Sequence, residues 1–452
     1  MRRFPPLIVI CLSAAAAAYA GERPALPTPH QLAYQAHRDA PTSPKLIGDR
    51  STPIVSLQTA GVTPRPCATV FGYLPYWEDP EHLRYELLTH VACFSVNVNS
   101  DGSLGNDHGW PWTSLINQAH ENGVKVILVA TLFDSNGINT LINNETYKNN
   151  FFVNIKNKML EGSADGVNID FEPGGGGSLD WQSQIHLFME DLTAYLHAQL
   201  PDSEVTFAGP AVNWGDRWNL PALADSCDGI FIMGYAFYGS WSSTSGPNAP
   251  LTGGSYNITD TVLDQYAEVT QNHPEKLILG APYYGNHWTT VSSAARASVI
   301  DYVGSTRFYN DEPNSQTYGL LWDSLSQTPW YRWQDGSTWH QVWFDNADSL
   351  GLKYDLALDH DLQGVGMWAL EYDGARDELW DLLDEKLGGC YTFGDFNGNG
   401  HADFDDLAPF LFCLQGPDAA YVTGHMCLTA DADQDLDVDL HDFASFQQIF
   451  QP

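Results

Sequence analysis

In the stretch Asp165-Gly166-Val167-Asn168-Ile169-Asp170-Phe171-Glu172-Pro173, three polar side chains, Asn168, Asp170 and Glu172, alternate with Val167, Ile169 and Phe171. That is the period of a β-strand with one polar and one apolar face. Residues two apart on one face lie roughly 6.6–7 Å apart, so the Asp170 and Glu172 charges must feel each other. Unpaired carboxylates are costly to desolvate, which makes such a row a poor way to hold a fold together. A strand end of this kind, followed by Pro173 and four glycines at 174–177, has the chemistry of an active site, with paired acids able to hold and deliver a proton. The plainer alternatives are an acidic strand end that caps the next helix, or one that binds a cation.

The elements that must position this row follow from the rhythm of the chain. From Cys67 onward, short β-rich runs alternate with helical stretches: 68–77, 90–99, 124–133, 164–173, 204–213, 227–238, 277–285 and 364–373. Helical patterns such as 112–122, 149–160 and 180–200 fall between them. Eight strands alternating with helices predict a parallel α/β barrel, whose active sites lie at the C-terminal ends of the strands, where Glu172 falls. The interval 286–348 is too long for one helix and holds strand-like aromatic pieces, Trp330–Trp333 and Trp339–Phe344.

Composition bounds the function. The 452 residues allow one large domain and a small one. Twenty basic against 56 acidic residues argue against a nucleic-acid partner, because phosphate binding relies on Lys and Arg. The start Met1-Arg2-Arg3, the apolar run Leu7–Ala18 and Ala18-Tyr19-Ala20 before Gly21 read as a signal peptide over 1–20, so a secreted, extracellular protein is expected. No later segment is long and apolar enough to span a bilayer. Residues 21–66, rich in Pro, Ala and Thr without sustained apolar period, read as an extended leader. Of seven cysteines, Cys413 and Cys427 flank one short loop and are expected to pair. Cys67 and Cys390 bracket the large domain and are a candidate second pair, while Cys93 and Cys227 lie in apolar strand patterns as core residues.

The sequence Asp165-Gly-Val-Asn-Ile-Asp-Phe-Glu172 resembles the DGxDxDxE signature of glycoside hydrolase family 18, the chitinase-like hydrolases. Asn168 replaces the middle Asp, and Val129-Ala130-Thr131-Leu132-Phe133 lacks the Ser-x-Gly-Gly found on the third strand of many chitinases. The resemblance implies a (β/α)8 TIM barrel over 67–390, with a small α+β insertion after strand 7 at about 286–348. It also implies a secreted hydrolase of β-1,4-linked N-acetylglucosamine-containing glycans, chitin or chito-oligosaccharides, needing no cofactor for catalysis. Glu172 would be the general acid, its pKa raised by Asp170. The substrate's own 2-acetamido oxygen would attack the anomeric carbon, with Asp170 accepting the acetamido N–H. Asp165, of opposite parity, is expected to be structural, and Asn168 to hydrogen-bond Asp170. Tyr235, in Met233-Gly234-Tyr235, resembles the family's Met-x-Tyr motif, whose hydroxyl holds the acetamido oxygen. Trp368 would floor the sugar site, with Met233, Trp77, Tyr283 and Tyr284, and Asn213 and Trp214 as further cleft candidates. Peptidoglycan and N-glycan cores are alternative substrates. A chitin-binding lectin is the alternative of another class, disfavoured by the presence of Glu172, Asp170 and Tyr235, and a calcium-dependent assembly subunit is a third.

Residues 395–406 (DFNGNGHADFDD) put oxygen side chains at loop positions 1, 3, 5, 9 and 12, namely Asp395, Asn397, Asn399, Asp403 and Asp406, with Gly400 at position 6. Residues 431–442 repeat the spacing with Asp431, Asp433, Asp435, Asp439 and Asp442. This is the spacing of a calcium loop, and each copy precedes an apolar helical run. The tandem over 391–452 resembles a helical dockerin module, which implies Ca2+ and a cohesin-type scaffold partner, and with it a possible cell-surface attachment. In the second loop Leu436 occupies the sharp-turn position where Gly is favoured.

Overall fold

The computed structural model describes residues 28–57, 66–173, 181–214, 216–388, 393–394, 396, 402–417, 421, 426–433 and 435–450. Among the described residues thirteen strands are distributed over two sheets. Strands β1 (Thr69–Pro75), β2 (His90–Asn97), β3 (Lys125–Leu132), β4 (Gly166–Phe171), β5 (Glu204–Pro210), β6 (Gly229–Met233) and β7 (Leu277–Pro282) form a closed barrel together with β13 (Gly364–Trp368). The barrel strands pair in parallel, and β13 closes it between β1 and β7. Strands such as Lys125-Val-Ile-Leu-Val-Ala-Thr-Leu132 are nearly continuous apolar runs, as burial on both faces requires.

The register of β4 decides the site. Phe171 points outward and packs on Phe151 and Phe188, at ring distances of 5.9 and 5.8 Å, from the helices Glu145–Gly162 and Trp181–Gln199. Burying a side chain of this size contributes about 2–3 kcal/mol. Asn168, Asp170 and Glu172, of opposite parity, are buried. Asn168 accepts from the Tyr73 hydroxyl at 2.8 Å and donates to Thr206 Oγ1 at 2.9 Å, bridging β1 and β5 inside the barrel. At the opposite end of the strand Asp165 accepts from His120 Nε2 at 2.9 Å and from the Val126 amide at 2.7 Å, a structural use.

Between β7 and β13 the chain forms a five-stranded antiparallel sheet. It consists of β8 (Asn286–Thr290), β9 (Val299–Ser305), β10 (Leu321–Asp323), β11 (Thr328–Asp335) and β12 (Thr338–Trp343), in the order β10-β11-β12-β8-β9, with the helix Phe308–Tyr318 between β9 and β10. Trp288, Trp330 and Trp343 make its own small core. Toward the C-terminus, Phe396, Phe410, Val438 and Phe446 cluster separately from the barrel core, around the helices Phe404–Cys413 and Leu440–Ile449. Cys413 and Cys427 are joined by a disulfide there. Cys67 is also disulfide-bonded, while Cys390 lies outside the described residues. Cys93 and Cys227 are buried free thiols. Among the described residues no helix is long and apolar enough to cross a membrane.

The extended reading of the leader is corrected over 28–57. Pro29–His37 and Pro44–Ile47 are helices, each with proline in its first turn. Proline fixes a helical φ where the missing N–H would have had no partner anyway, so the prolines that suggested an extended chain start helices here. Residues 1–27 lie outside the described set.

Candidate active site

The polar atoms of Asp170, Glu172 and Tyr235 converge at the C-terminal mouth of the barrel. Asp170 ends the inner face of β4, Glu172 follows one step beyond the strand, and Tyr235 comes two residues after β6. The turn before Tyr235 is tight: a Cβ on Gly234 would lie 2.4 Å from the Gly280 carbonyl oxygen. Only glycine fits this close approach of β6 to β7.

Two of these groups meet on one side chain, and the third takes backbone amides beside it. The His30 imidazole lies with Nδ1 2.9 Å from Asp170 Oδ2 and Nε2 2.6 Å from the Tyr235 hydroxyl. Its ring stacks on Trp368, centroids 4.0 Å apart. The Gln31 amide donates to Glu172 Oε2 at 2.8 Å, and the His30 amide approaches Glu172 Oε1 at 3.5 Å. One oxygen from each of Asp170 and Glu172 and a His30 nitrogen lie within 4.8 Å of one another. Two ionised carboxylates at that separation repel by roughly 3 kcal/mol at an effective dielectric constant of about 20.

Burial is the main cause of the unusual protonation here. The Glu172 carboxyl is pushed up to about 8, first by burial and then by the Asp170 charge, so the sequence reading named the lesser cause. Asp170 is also raised well above the usual carboxylate range by burial. The His30 imidazole is held down to about 4 by burial, against the pull of Glu172. It is therefore neutral at pH 7, with one nitrogen donating and the other accepting. The natural pairing has Nδ1–H donating to Asp170 and Nε2 accepting from the Tyr235 hydroxyl, a tautomer assigned from its partners.

Several expectations change. Asn168 makes its two hydrogen bonds to Tyr73 and Thr206 rather than to Asp170. Asp170 Oδ1 is buried without a hydrogen-bond partner among the described residues. Tyr283 is corrected to a core residue: it is buried, with its hydroxyl 3.2 Å from that of Tyr354 in the helix Ala347–Asp359, which packs outside the barrel. Its neighbour Tyr284 has the parity that faces the site, with its ring 6.2 Å from that of Tyr235. Met233 and Trp214 line a cavity of about 510 Å³ beside Tyr235. Asn213 instead holds its own loop through Trp218. Trp77 stacks on His37 at 4.2 Å. The missed residues are His30, Gln31 and His37, and the available signal was Thr28-Pro29 opening a helix.

This geometry, a β4 acid pair beside a β6 tyrosine over a β13 tryptophan, is matched by sequence. Residues 69–373 match the family described as glycosyl hydrolases family 18. The chain belongs to that family. This family 18 hydrolase is 30% identical over 256 residues to di-N-acetylchitobiase of Homo sapiens, covering 49% of this chain and 64% of that protein. It thus spans slightly less than two thirds of that relative. It is 27% identical over 244 residues to chitinase A1 of Niallia circulans, covering 46% of this chain and 35% of the relative. Among solved structures, the Ostrinia furnacalis group IV chitinase superposes with a TM-score of 0.63 at 21% identity, over 71% of this chain and 98% of that one. The Cycas revoluta chitinase in complex with (GlcNAc)3 superposes with a TM-score of 0.62 at 18% identity, over 71% and 99%. At these identities the structures speak for the fold of the family 18 barrel.

Proposed function

We propose that this family 18 hydrolase cleaves β-1,4-linked N-acetylglucosamine-containing glycans, chitin or chito-oligosaccharides, with retention and by substrate assistance. The observation that carries the reading is the convergence of Asp170 and Tyr235 on one small ring above Trp368, with Glu172 beside it on the Gln31 amide. Glu172 is protonated at neutral pH and gives its proton to the departing glycosidic oxygen. The 2-acetamido oxygen attacks the anomeric carbon as that bond breaks. Asp170 accepts the acetamido N–H and stabilises the oxazolinium positive charge, while the Tyr235 hydroxyl donates to the acetamido oxygen until it attacks. Water, deprotonated by Glu172, then opens the ring on the same face. Asn168, holding Tyr73 and Thr206, keeps β4 in register beneath the two acids, and Met233 and Trp77 border the cleft.

The named activities of relatives support the substrate class: a di-N-acetylchitobiase of Homo sapiens and a chitinase of Niallia circulans. Incubation with chitin oligosaccharides, peptidoglycan and a high-mannose glycopeptide, followed by mass analysis, tests it. Cleavage of the chitin oligosaccharides is expected, and cleavage confined to either other substrate would replace it.

We also propose export, with 67–390 as the catalytic unit and 391–452 as a calcium-binding, dockerin-like unit that docks on a cohesin-type scaffold. Asp395, Asn397 and Asn399 lie outside the described residues. In the second loop, carboxylate oxygens of Asp431, Asp433 and Asp435 lie within 4.8 Å of one another, as do those of Asp437, Asp439 and Asp442. Hard carboxylate oxygens in this density suit Ca2+. The loop is held for it: Asp431 accepts from the Leu436 amide at 2.8 Å, and Asp442 from the Ala432 and Asp439 amides at 2.7 Å each. In the first loop Asp406 repeats that use, accepting from the Phe396 and Asp403 amides at 2.7 and 3.0 Å.

A further inference from the structure

The leader helix Pro29–His37 lies across the mouth of the barrel. It separates two cavities of about 380 and 510 Å³, and Pro29 lines both. A continuous groove long enough for several sugar rings would have to run through the position of His30.

His30 answers the site as an acetamido sugar would. A neutral imidazole and an acetamido group both present one N–H and one acceptor. The imidazole N–H at Nδ1 faces Asp170, and its acceptor at Nε2 faces the Tyr235 hydroxyl. The flat ring lies on Trp368, tilted by 28°, as a sugar's apolar face would. Glu172 is engaged as well. Thr28 makes no side-chain cap to the helix, and Glu172 takes that place by accepting from the Gln31 amide. A carboxyl oxygen satisfies an orphan N–H of the helix N-terminus whether or not the group carries its proton. So engaged, the carboxyl cannot reach a glycosidic oxygen.

We infer that residues 28–38 form an intramolecular competitive inhibitor that fills the sugar site and must leave before a glycan can bind. The inference rests on the reading of Asp170, Glu172 and Tyr235 as the sugar's partners. The helix is held by separate polar contacts: Gln31 Nε2 donates to the Phe133 carbonyl at 3.0 Å, Asn97 Nδ2 to the Tyr34 hydroxyl at 2.8 Å, and the Tyr76 hydroxyl to the His37 carbonyl at 2.6 Å. The chain that follows is anchored elsewhere. Leu46 is fully buried, and Asn117 Nδ2 and His120 Nδ1 donate to the Pro53 and Val55 carbonyls. The helix can therefore lift from the mouth while 43–57 stays docked on the barrel flank.

An occupied fraction of the site reduces apparent affinity in proportion and leaves the turnover of bound substrate unchanged. In the full chain, His30→Ala should thus lower KM for (GlcNAc)4 at least tenfold with kcat within about twofold. Calorimetry of (GlcNAc)4 binding to Glu172→Gln chains, with His30 or with His30→Ala, gives the same comparison without turnover, and tighter binding of the double variant is expected. Equal KM and equal affinity would overturn the inhibitor while leaving the proposed reaction standing. Tighter binding with no hydrolysis in any chain would refute the reaction and keep the inhibitor. Should His30→Ala fail to fold, hydrogen exchange in the Glu172→Gln chain decides: amides of 28–38 should exchange faster at saturating (GlcNAc)4, and unchanged protection with sugar bound would overturn the inference.

Discussion

The Gln31 backbone N–H donates to Glu172 Oε2 at 2.8 Å, so the carboxyl group assigned to acid catalysis also caps the leader helix. Both roles draw on one property. Glu172 sits where burial and Asp170 make its negative charge costly, and protons or amides relieve that cost. In the proposed reaction a glycosidic oxygen and a helix terminus would compete for the same group.

Asn168 carries no charge where many family members have Asp. Asn168→Asp would lose the donor to Thr206 Oγ1 and add a third carboxyl beneath Asp170. The added charge pushes Asp170 and Glu172 further up. The basic limb of the kcat/KM profile for (GlcNAc)4 should move to higher pH, and a limb that stays put or moves down would contradict the account.

Stability should fall as pH rises from 6.5 to 8.5. Glu172 is pushed up to about 8, and Glu78, Asp311 and Asp373 each to about 7, chiefly by burial. Their unfolded counterparts release protons near pH 4. Across this window the folded protein therefore holds more protons than the unfolded chain, and stability declines with pH. His30, His108 and His287, held down to about 4 by burial, act in the opposite sense, but only between about pH 4 and 6.5. Glu204, held near 2 by His90 and Lys125 despite its burial, contributes stability that is fully present throughout. Thermal melts should show a lower Tm at pH 8.5, with a smaller drop in Glu172→Gln. A flat or rising Tm would refute the assignment.

The second proposed calcium loop carries a visible strain. Leu436 has φ 74° at the position where Gly is favoured, which costs an L residue roughly 1–2 kcal/mol. Leu436→Gly should tighten Ca2+ binding by about fivefold or more, equivalent to about 1 kcal/mol, in calorimetric titration. Chelation should unfold 391–452 and leave hydrolysis largely unchanged. Unaltered or weaker affinity in the glycine variant would mean the ion does not require that turn.

The proposed substrate assistance restricts the chemistry. A sugar chain without the 2-acetamido group lacks the nucleophile, whatever its fit over Trp368. Cellotetraose should be left intact under conditions that cleave (GlcNAc)4. Comparable rates on both, measured by product mass, would exclude the mechanism.

Much of the barrel was legible because the signals were local and repeated. Eight apolar runs alternating with helical stretches leave few alternatives to a closed parallel sheet, and the parity of Asn168, Asp170 and Glu172 separates the inner face of β4 from Phe171. Parity also explains the error at Tyr283, since one residue's shift at the end of β7 exchanges the core for the cleft. Asn168 was misjudged because strand neighbours two apart look like partners, whereas the barrel brings Tyr73 and Thr206 from other strands closer. The leader was illegible for a different reason. Its helix, Pro29–His37, spans only nine residues, and the groups that hold it, such as Phe133, Asp170, Glu172 and Tyr235, lie far along the chain.

The most direct test measures initial rates of (GlcNAc)4 hydrolysis in the His30→Ala chain, with Glu172 retained or changed to Gln. Circular dichroism would verify that both are folded. Loss of a general acid typically lowers the rate by 10²-fold or more, and a drop of at least about 100-fold is expected. A rate in Glu172→Gln within a few-fold of its parent would contradict the assignment of Glu172 as the acid.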